Sequence, residues 1–190
     1  EHISWLKQNF DNVSDQELDL TSVFNSFESL LPSKIQDHLT MANLRARIRM
    51  STLYAYASNN NKLVVGTGNK VEDFGVGFYT KYGDGGVDIS PIADMLKSEV
   101  FSLAKHLDIV SSIQNAAPTD GLWEDDRSDE DQLGASYEEL EWAMSYIHEK
   151  ENKPISDRQK NVLDIYQKFN SNNLHKMQPI PVCIIPNKFK

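Results

Sequence analysis

Lys62-Leu63-Val64-Val65-Gly66 is a short, mostly apolar run of β-branched character, entered from Asn59-Asn60-Asn61 and followed directly by GTGNKVEDFGVGFYTKYGDGGVD, Gly66 to Asp88. A run of this kind bounded by turn residues reads as a buried strand. It is the fully buried kind expected in a parallel sheet covered by helices. Ligands of open α/β sheets sit beyond the carboxyl ends of strands, which places Thr67 and its neighbours for a ligand. A solvated loop whose glycines serve only turns is the competing reading, and the residues alone leave both open.

Around this strand the pattern is helical. Ile3, Leu6 and Phe10, with Trp5 nearby, give a short amphipathic piece; Val23, Phe24, Phe27, Leu30 and Leu31 recur at helical spacing until Pro32. A long helix is expected over Ser33 to Ser58. Pro91 leads into another, with Val100, Phe101, Ala104 and Leu107 on one face. Ser136-Tyr137-Glu138-Glu139 is a capping box that starts a helix through Leu140, Met144 and Ile147. The last helix is expected over Ser156 to about Ser171. No internal repeat or linker marks a second domain, so residues 1–190 read as one domain. One strand cannot make a sheet, and the chain starts at Glu1 without Met inside a helical pattern. Sheet-forming sequence is therefore expected ahead of it.

Composition excludes several functions. The 190 residues carry 19 Lys+Arg against 28 Asp+Glu, a formal net charge of −9. Sequence-independent duplex binding relies on Lys and Arg neutralising phosphates, so no nucleic-acid partner is expected. A local basic pocket for a phosphate-bearing ligand remains compatible with that charge. Cys183 is the single cysteine, which rules out an internal disulfide scaffold and suits a reducing, cytoplasmic setting. No apolar run approaches the ~18 residues that would span a bilayer.

Few residues suggest chemistry by themselves. His2, His38, His106, His148 and His175 show no metal-ligand spacing. No G-x-x-x-x-G-K-[ST] phosphate loop, G-x-G-x-x-G turn or nucleophile elbow is present. Glu72 and Asp73 are the better metal candidates, since Mg²⁺ takes one or two carboxylates plus phosphate oxygens. Arg45, Arg47 and Arg49 spread around a helix and read as surface charge, although the Arg47 fork suits phosphate or carboxylate. The acidic cluster Glu124, Asp125, Asp126, Asp129, Glu130 and Asp131 reads as a solvated, mobile segment, or alternatively as a loop closing over a cationic ligand.

Read together, the segments are more specific. NLRARIRM (Asn43 to Met50), VVGTGNKVED (Val64 to Asp73), GFYTKYGDGGVDISPIADMLKSEV (Gly77 to Val100), PTDGLW (Pro118 to Trp123), the acidic run, LGASYEELE (Leu133 to Glu141) and LHK (Leu174 to Lys176) occur in this order. The chain closely resembles ammonia-dependent NAD synthetase and the synthetase domain of its glutamine-dependent relatives, from Asn43 to Lys176. The resemblance implies an α/β fold with a Rossmann-like parallel sheet of the ATP-pyrophosphatase type, working as a homodimer. It also implies ATP and Mg²⁺, with nicotinic acid adenine dinucleotide and ammonia as substrates. In that chemistry the nicotinate carboxylate attacks the α-phosphate of ATP, and ammonia then displaces AMP from the adenylated intermediate.

Carried over by motif, Thr67, Lys97 and Thr119 resemble ATP contacts, and Glu72 resembles the Mg²⁺ ligand. Arg47, Lys81, Asp88, His175 and Lys176 correspond to contacts with the dinucleotide, some of them across the dimer. No catalytic residue is implied. Glu72 precedes Lys81 by nine positions, one more than in many relatives. Glu72 fits the count from Thr67 and Asp73 fits the count from Lys81; Glu72 is preferred. The family's SGGxDS phosphate loop and a second Mg²⁺ ligand lie upstream of anything present. Asp84-Gly85-Gly86-Val87-Asp88 resembles that loop superficially but lacks both serines. Little synthetase turnover is therefore expected of these 190 residues alone. Two other readings are a different ATP-pyrophosphatase ligase, opposed by TKYGDGG and His175-Lys176, and a non-catalytic binding or dimerisation module, opposed by Thr67, Lys97 and Thr119.

Overall fold

A computed structural model describes residues 1–119, 121–122, 128–149 and 153–189. Helices α1 (His2–Asn9) and α2 (Thr21–Leu30) come first. The expected helix from Ser33 is divided into a 3₁₀ turn, Ser33–Ile35, and α3, His38–Asn59. The division has a local cause. Gln36 Nε2 donates to the carbonyls of Glu28 and Leu31, both at 2.8 Å, and so turns the chain. Asp37, extended at φ −69° and ψ 158°, then caps α3 by accepting from Thr40 N at 3.0 Å.

After α3, Val71–Val76 forms a single π-helical turn, followed by α4 (Lys97–His106), α5 (Ser111–Gln114) and α6 (Asp129–Leu133). The Ser136–Glu139 capping box starts α7, Tyr137–His148, as expected. Helix α8 begins after Ser156 but continues to Met177, six residues beyond the expected end. Ser and Asn usually weaken a helix by competing for its backbone. Here Asn170 and Asn173 instead donate to the carbonyls of Gly75 and Val76, at 2.7 and 2.9 Å, so those side chains tie α8 to the π turn.

The core lies where α7, α8 and that turn meet. Val71, Val76, Leu140 and Ala143 are completely buried, with Leu133, Tyr137, Val162 and Tyr166 around them. Helix α4 docks on α7, but its expected apolar face is only partly covered, because Phe101 and Leu107 remain exposed.

The expected parallel sheet is not seen among the described residues. Their β pairing is one parallel bridge, Val65 to Ile89, in which Gly66 N donates to Ile89 O at 2.7 Å and Asp88 N to Val64 O at 2.9 Å. Nor is the Lys62–Gly66 run fully buried. Val64 points inward, whereas Leu63 and Val65 are 62% and 53% exposed. A strand becomes buried on both faces only within a sheet covered by helices on both sides, and here one short partner, ending at Pro91, supplies a single bridge.

Candidate active site

The glycine-rich stretch is fixed at both ends of the π turn. Asn69 is buried and its Oδ1 accepts from Val71 N and Glu72 N, both at 3.1 Å, capping the turn. The turn ends at Gly77, whose φ of +62° suits glycine. A Cβ there would also stand 2.6 Å from Asn173 Cβ, so glycine lets α8 approach closely. Glu72 and Asp73 thereby project from a rigid, core-anchored turn.

Their side chains diverge. Asp73 lies against the Gly68 backbone, where a Cβ would meet its Oδ2 at 2.2 Å. Burial, reinforced by Glu72 and Asp84, pushes the Asp73 carboxyl up to about 6. Glu72 instead accepts from Lys97 Nζ at 2.8 Å and from Tyr137 Oη at 2.5 Å, both at Oε1. The Lys97 ammonium also lies 4.7 Å from the Tyr137 ring centroid. Asp129 Oδ2 is 3.1 Å from the Tyr137 hydroxyl. Burial first, then the Glu72 and Asp129 carboxylates, hold that phenol well above its ordinary range, so it stays protonated.

Thr67, Glu72, Lys97 and Thr119 line one cavity of about 490 Å³, together with Asp129. An adjoining cavity of about 430 Å³ is lined by Arg47, Lys81, His175 and Lys176. The two share Phe78, Asp84 and Leu122. The residues expected at ATP thus gather on one side of this wall, and four expected at the dinucleotide gather on the other.

The second cavity is linked across its elements. Lys81 Nζ donates to His175 O at 2.6 Å, and Arg47 Nε to Lys81 O at 3.3 Å. Lys176 Nζ donates to the carbonyls of Gly77 and Tyr79, at 2.9 and 2.7 Å. Burial pulls the Lys176 ammonium below its ordinary value, with Asp84 pulling in the opposite direction.

Asp88 lines neither cavity. Its carboxylate accepts from Val64 N at 2.8 Å and from Tyr54 Oη at 3.1 Å, which holds the two bridged segments together. The loop carrying Thr119 is braced from α3, because Arg45 donates to Leu122 O and Arg49 to Gly121 O, each at 3.0 Å. These arginines are bracing residues as well as surface charge. A further cavity of about 750 Å³, between residues 17–28 and α3, contains none of the expected site residues.

Part of the acidic run behaves unlike a solvated segment. Ser128 and Asp131 cap α6, Asp129 is buried against Tyr137, and Glu130 Oε1 accepts from Tyr137 N at 2.8 Å. Asp120 and Trp123 of the PTDGLW segment, and Glu124, Asp125, Asp126 and Arg127 of the run, lie outside the described residues.

A family described as NAD synthase matches residues 3–179. The chain belongs to the NAD synthase family. It is 41% identical over 138 residues to an NH(3)-dependent NAD(+) synthetase of Methanosarcina acetivorans, covering 72% of this chain and 53% of that protein. It is 39% identical over 176 residues to the same-named protein of Alkaliphilus metalliredigens, covering 91% and 66%. The chain therefore spans about half to two-thirds of the length of these relatives. Among solved structures it is similar to NMN synthetase from Francisella tularensis, with a TM-score of 0.78, 29% identity and coverage of 97% and 71%. The fold is shared with NH3-dependent NAD synthetase from Campylobacter jejuni, with a TM-score of 0.68, 24% identity and coverage of 88% and 64%.

Membership gives the two cavities a chemical context. Glu72 presents a hard carboxylate beside Lys97, which fits Mg²⁺ shared with phosphate oxygens. It does not suggest a closed protein cage, since no group of three or more His, Cys, Asp or Glu among the described residues could hold a metal. No helix of the described residues is long and apolar enough to cross a membrane. Tyr137, Asp129 and Glu141 adjoin Glu72 and Lys97, yet the sequence marked Tyr137 and Glu141 only within the capping box and the LGASYEELE segment, and Asp129 only within the acidic run.

Proposed function

We propose that the protein joins ammonia to the nicotinate carboxylate of nicotinic acid adenine dinucleotide, with ATP as co-substrate, yielding NAD, AMP and pyrophosphate. The observation that carries this reading is the pair of adjoining cavities, one gathering Thr67, Glu72, Lys97 and Thr119, the other Arg47, Lys81, His175 and Lys176. A carboxylate is a poor acyl donor until one of its oxygens joins a good leaving group. Two anionic substrates must therefore meet across a short wall, and catalysis consists mainly of positioning and neutralisation of phosphate charge.

Within this reading Lys97 neutralises ATP phosphate, Thr67 and Thr119 donate hydroxyl hydrogen bonds, and Glu72 would hold Mg²⁺. When bound, that ion screens phosphate charge. Arg47, Lys81, His175 and Lys176 orient the dinucleotide so that its nicotinate carboxylate faces the shared wall. Asp88 supports the site through Val64 and Tyr54. The exposed apolar residues Leu39, Leu53 and Tyr56 on α3 support a homodimer, with residues 1–190 acting as one domain of a Rossmann-like ATP-pyrophosphatase fold. A reducing, cytoplasmic setting suits the exposed Cys183.

The test is product analysis after incubation with the dinucleotide, ATP, Mg²⁺ and ammonia. NAD and AMP in equal amounts support the reading; ATP cleaved only to ADP, or a dinucleotide left intact while another acceptor is amidated, contradicts it. The likeness to the Francisella NMN synthetase, over 97% of this chain, motivates a second reading in which the acceptor is the corresponding mononucleotide. The same assay with both acceptors separates the two.

A further inference from the structure

We infer that Tyr137 and Glu141, four residues apart on one face of α7, are positioning residues that hold Glu72 and Lys97 in register. This inference rests on the reading of Glu72 and Lys97 given above. Residues at i and i+4 of a helix lie one above the other, so α7 presents both side chains in one direction. Tyr137 donates to Glu72 Oε1 at 2.5 Å while its ring lies under the Lys97 ammonium.

Glu141 acts on the other partner. It is only 8% exposed, and its two carboxylate oxygens accept from Ser98 N at 2.9 Å and Ser98 Oγ at 2.7 Å. Ser98 follows Lys97, the first residue of α4. A buried carboxylate from α7 therefore fixes the first turn of α4, including the backbone from which Lys97 reaches Glu72. Burying a carboxylate is costly unless it is hydrogen-bonded, and both of its contacts here serve that one turn. Tyr137 is itself seated by Asp129 and Glu130, so the bracket is anchored in α6 as well.

Neither residue lines either cavity, so neither needs to contact substrate. Their effect is to reduce the freedom of two groups that must act together on one phosphate-bearing ligand. Groups that orient a ligand in this way commonly change affinity or activity by about 10- to 100-fold when altered.

The test compares the unaltered chain with Tyr137→Phe, Glu141→Gln and Ser98→Ala. The first two are nearly isosteric, and the third removes the Ser98 hydroxyl that donates to Glu141 while keeping the bond from Ser98 N, without altering the core. Ligand-free protein is treated with an amine-acylating reagent, and labelling is followed at each lysine by mass spectrometry. Lys97, whose side chain is 20% exposed, should react about three- to tenfold faster in each variant, the factor expected for one lost hydrogen bond of ordinary net strength. Lys105 and Lys168, both exposed, serve as internal references and should not change. Affinity for Mg·ATP by calorimetry should fall about tenfold while dinucleotide affinity is kept.

A variant in which Lys97 reacts no faster relative to Lys105 and Lys168 overturns the assignment for the residue it alters. A uniform rise at all lysines also overturns it, since that indicates general loosening. If the unaltered chain binds no Mg·ATP, the proposed function fails, yet the labelling comparison still decides the positioning.

Discussion

Lys97 Nζ donates to Glu72 Oε1 at 2.8 Å, joining the first residue of α4 to the π-helical turn 25 positions earlier. Without ligand, the cation assigned to phosphate and the carboxylate assigned to Mg²⁺ neutralise each other. Both side chains are largely shielded from water, at 20% and 15% exposure. Removing one charge leaves the other in a place where water compensates poorly. Lys97→Met should therefore cost about 1–3 kcal/mol of stability, and Lys97→Met combined with Glu72→Gln should cost less than the sum of the single changes. Urea unfolding of the four proteins checks this; strict additivity would show that the pair is not coupled.

Gly77 predicts a selective effect on the second cavity. Gly77→Ala places a side chain at a φ of +62° and directs its Cβ at Asn173. The left-handed backbone costs about 1–2 kcal/mol, and the clash pushes at α8 near His175 and Lys176. Dinucleotide affinity should fall further than Mg·ATP affinity in calorimetric titration of the variant.

Arg158 grips Glu139 through both oxygens, with Nε at 2.7 Å from Oε1 and Nη2 at 2.5 Å from Oε2, joining α8 to the start of α7. The hydrogen bond from Arg158 holds the Glu139 carboxyl below its ordinary 4.5, against a smaller raising effect of burial. A depressed carboxyl contributes stability that is present above the unfolded value and lost as pH falls through the folded one. Arg158→Ala should thus lose about 0.5–1 kcal/mol at pH 7, the upper range for a half-exposed pair, and the difference should shrink as pH falls below 4.5. Denaturant midpoints of both proteins between pH 3 and 7 give the comparison.

Asp88 separates structural support from ligand contact. Tyr54→Phe removes one of its partners without approaching either cavity, and should cost about 0.5–1.5 kcal/mol while leaving dinucleotide affinity unchanged. Asp88→Ala also frees Val64 N and should be the more destabilising of the two, by thermal unfolding. A large loss of dinucleotide affinity in Asp88→Ala at unchanged stability would instead make Asp88 a direct contact.

The grouping of the candidate residues was partly legible, because motif residues are read one at a time and those motifs fall on the loops that line the two cavities. Thr67, Glu72, Lys97 and Thr119 do share a cavity, as do Arg47, Lys81, His175 and Lys176. Helix starts were legible at the local caps Ser136 and Ser156, but not at Asp37 or Ser128, which also cap locally. Contacts between distant segments were not. Nothing in the spacing of Gln36 announces its bonds to Glu28 and Leu31, and nothing in the acidic run distinguishes buried Asp129 from its neighbours. The strand at Val64 and Val65 was overread, because an apolar β-branched run records a tendency to pair while a sheet depends on what lies alongside.

If the two adjoining cavities bind different ligands, separate titration of Mg·ATP and of nicotinic acid adenine dinucleotide into the chain distinguishes them. Dinucleotide binding should be weakened about tenfold or more by Lys176→Ala and left intact by Lys97→Met, with the reverse pattern for Mg·ATP. Binding of neither ligand, or equal losses of both in each variant, would contradict this assignment.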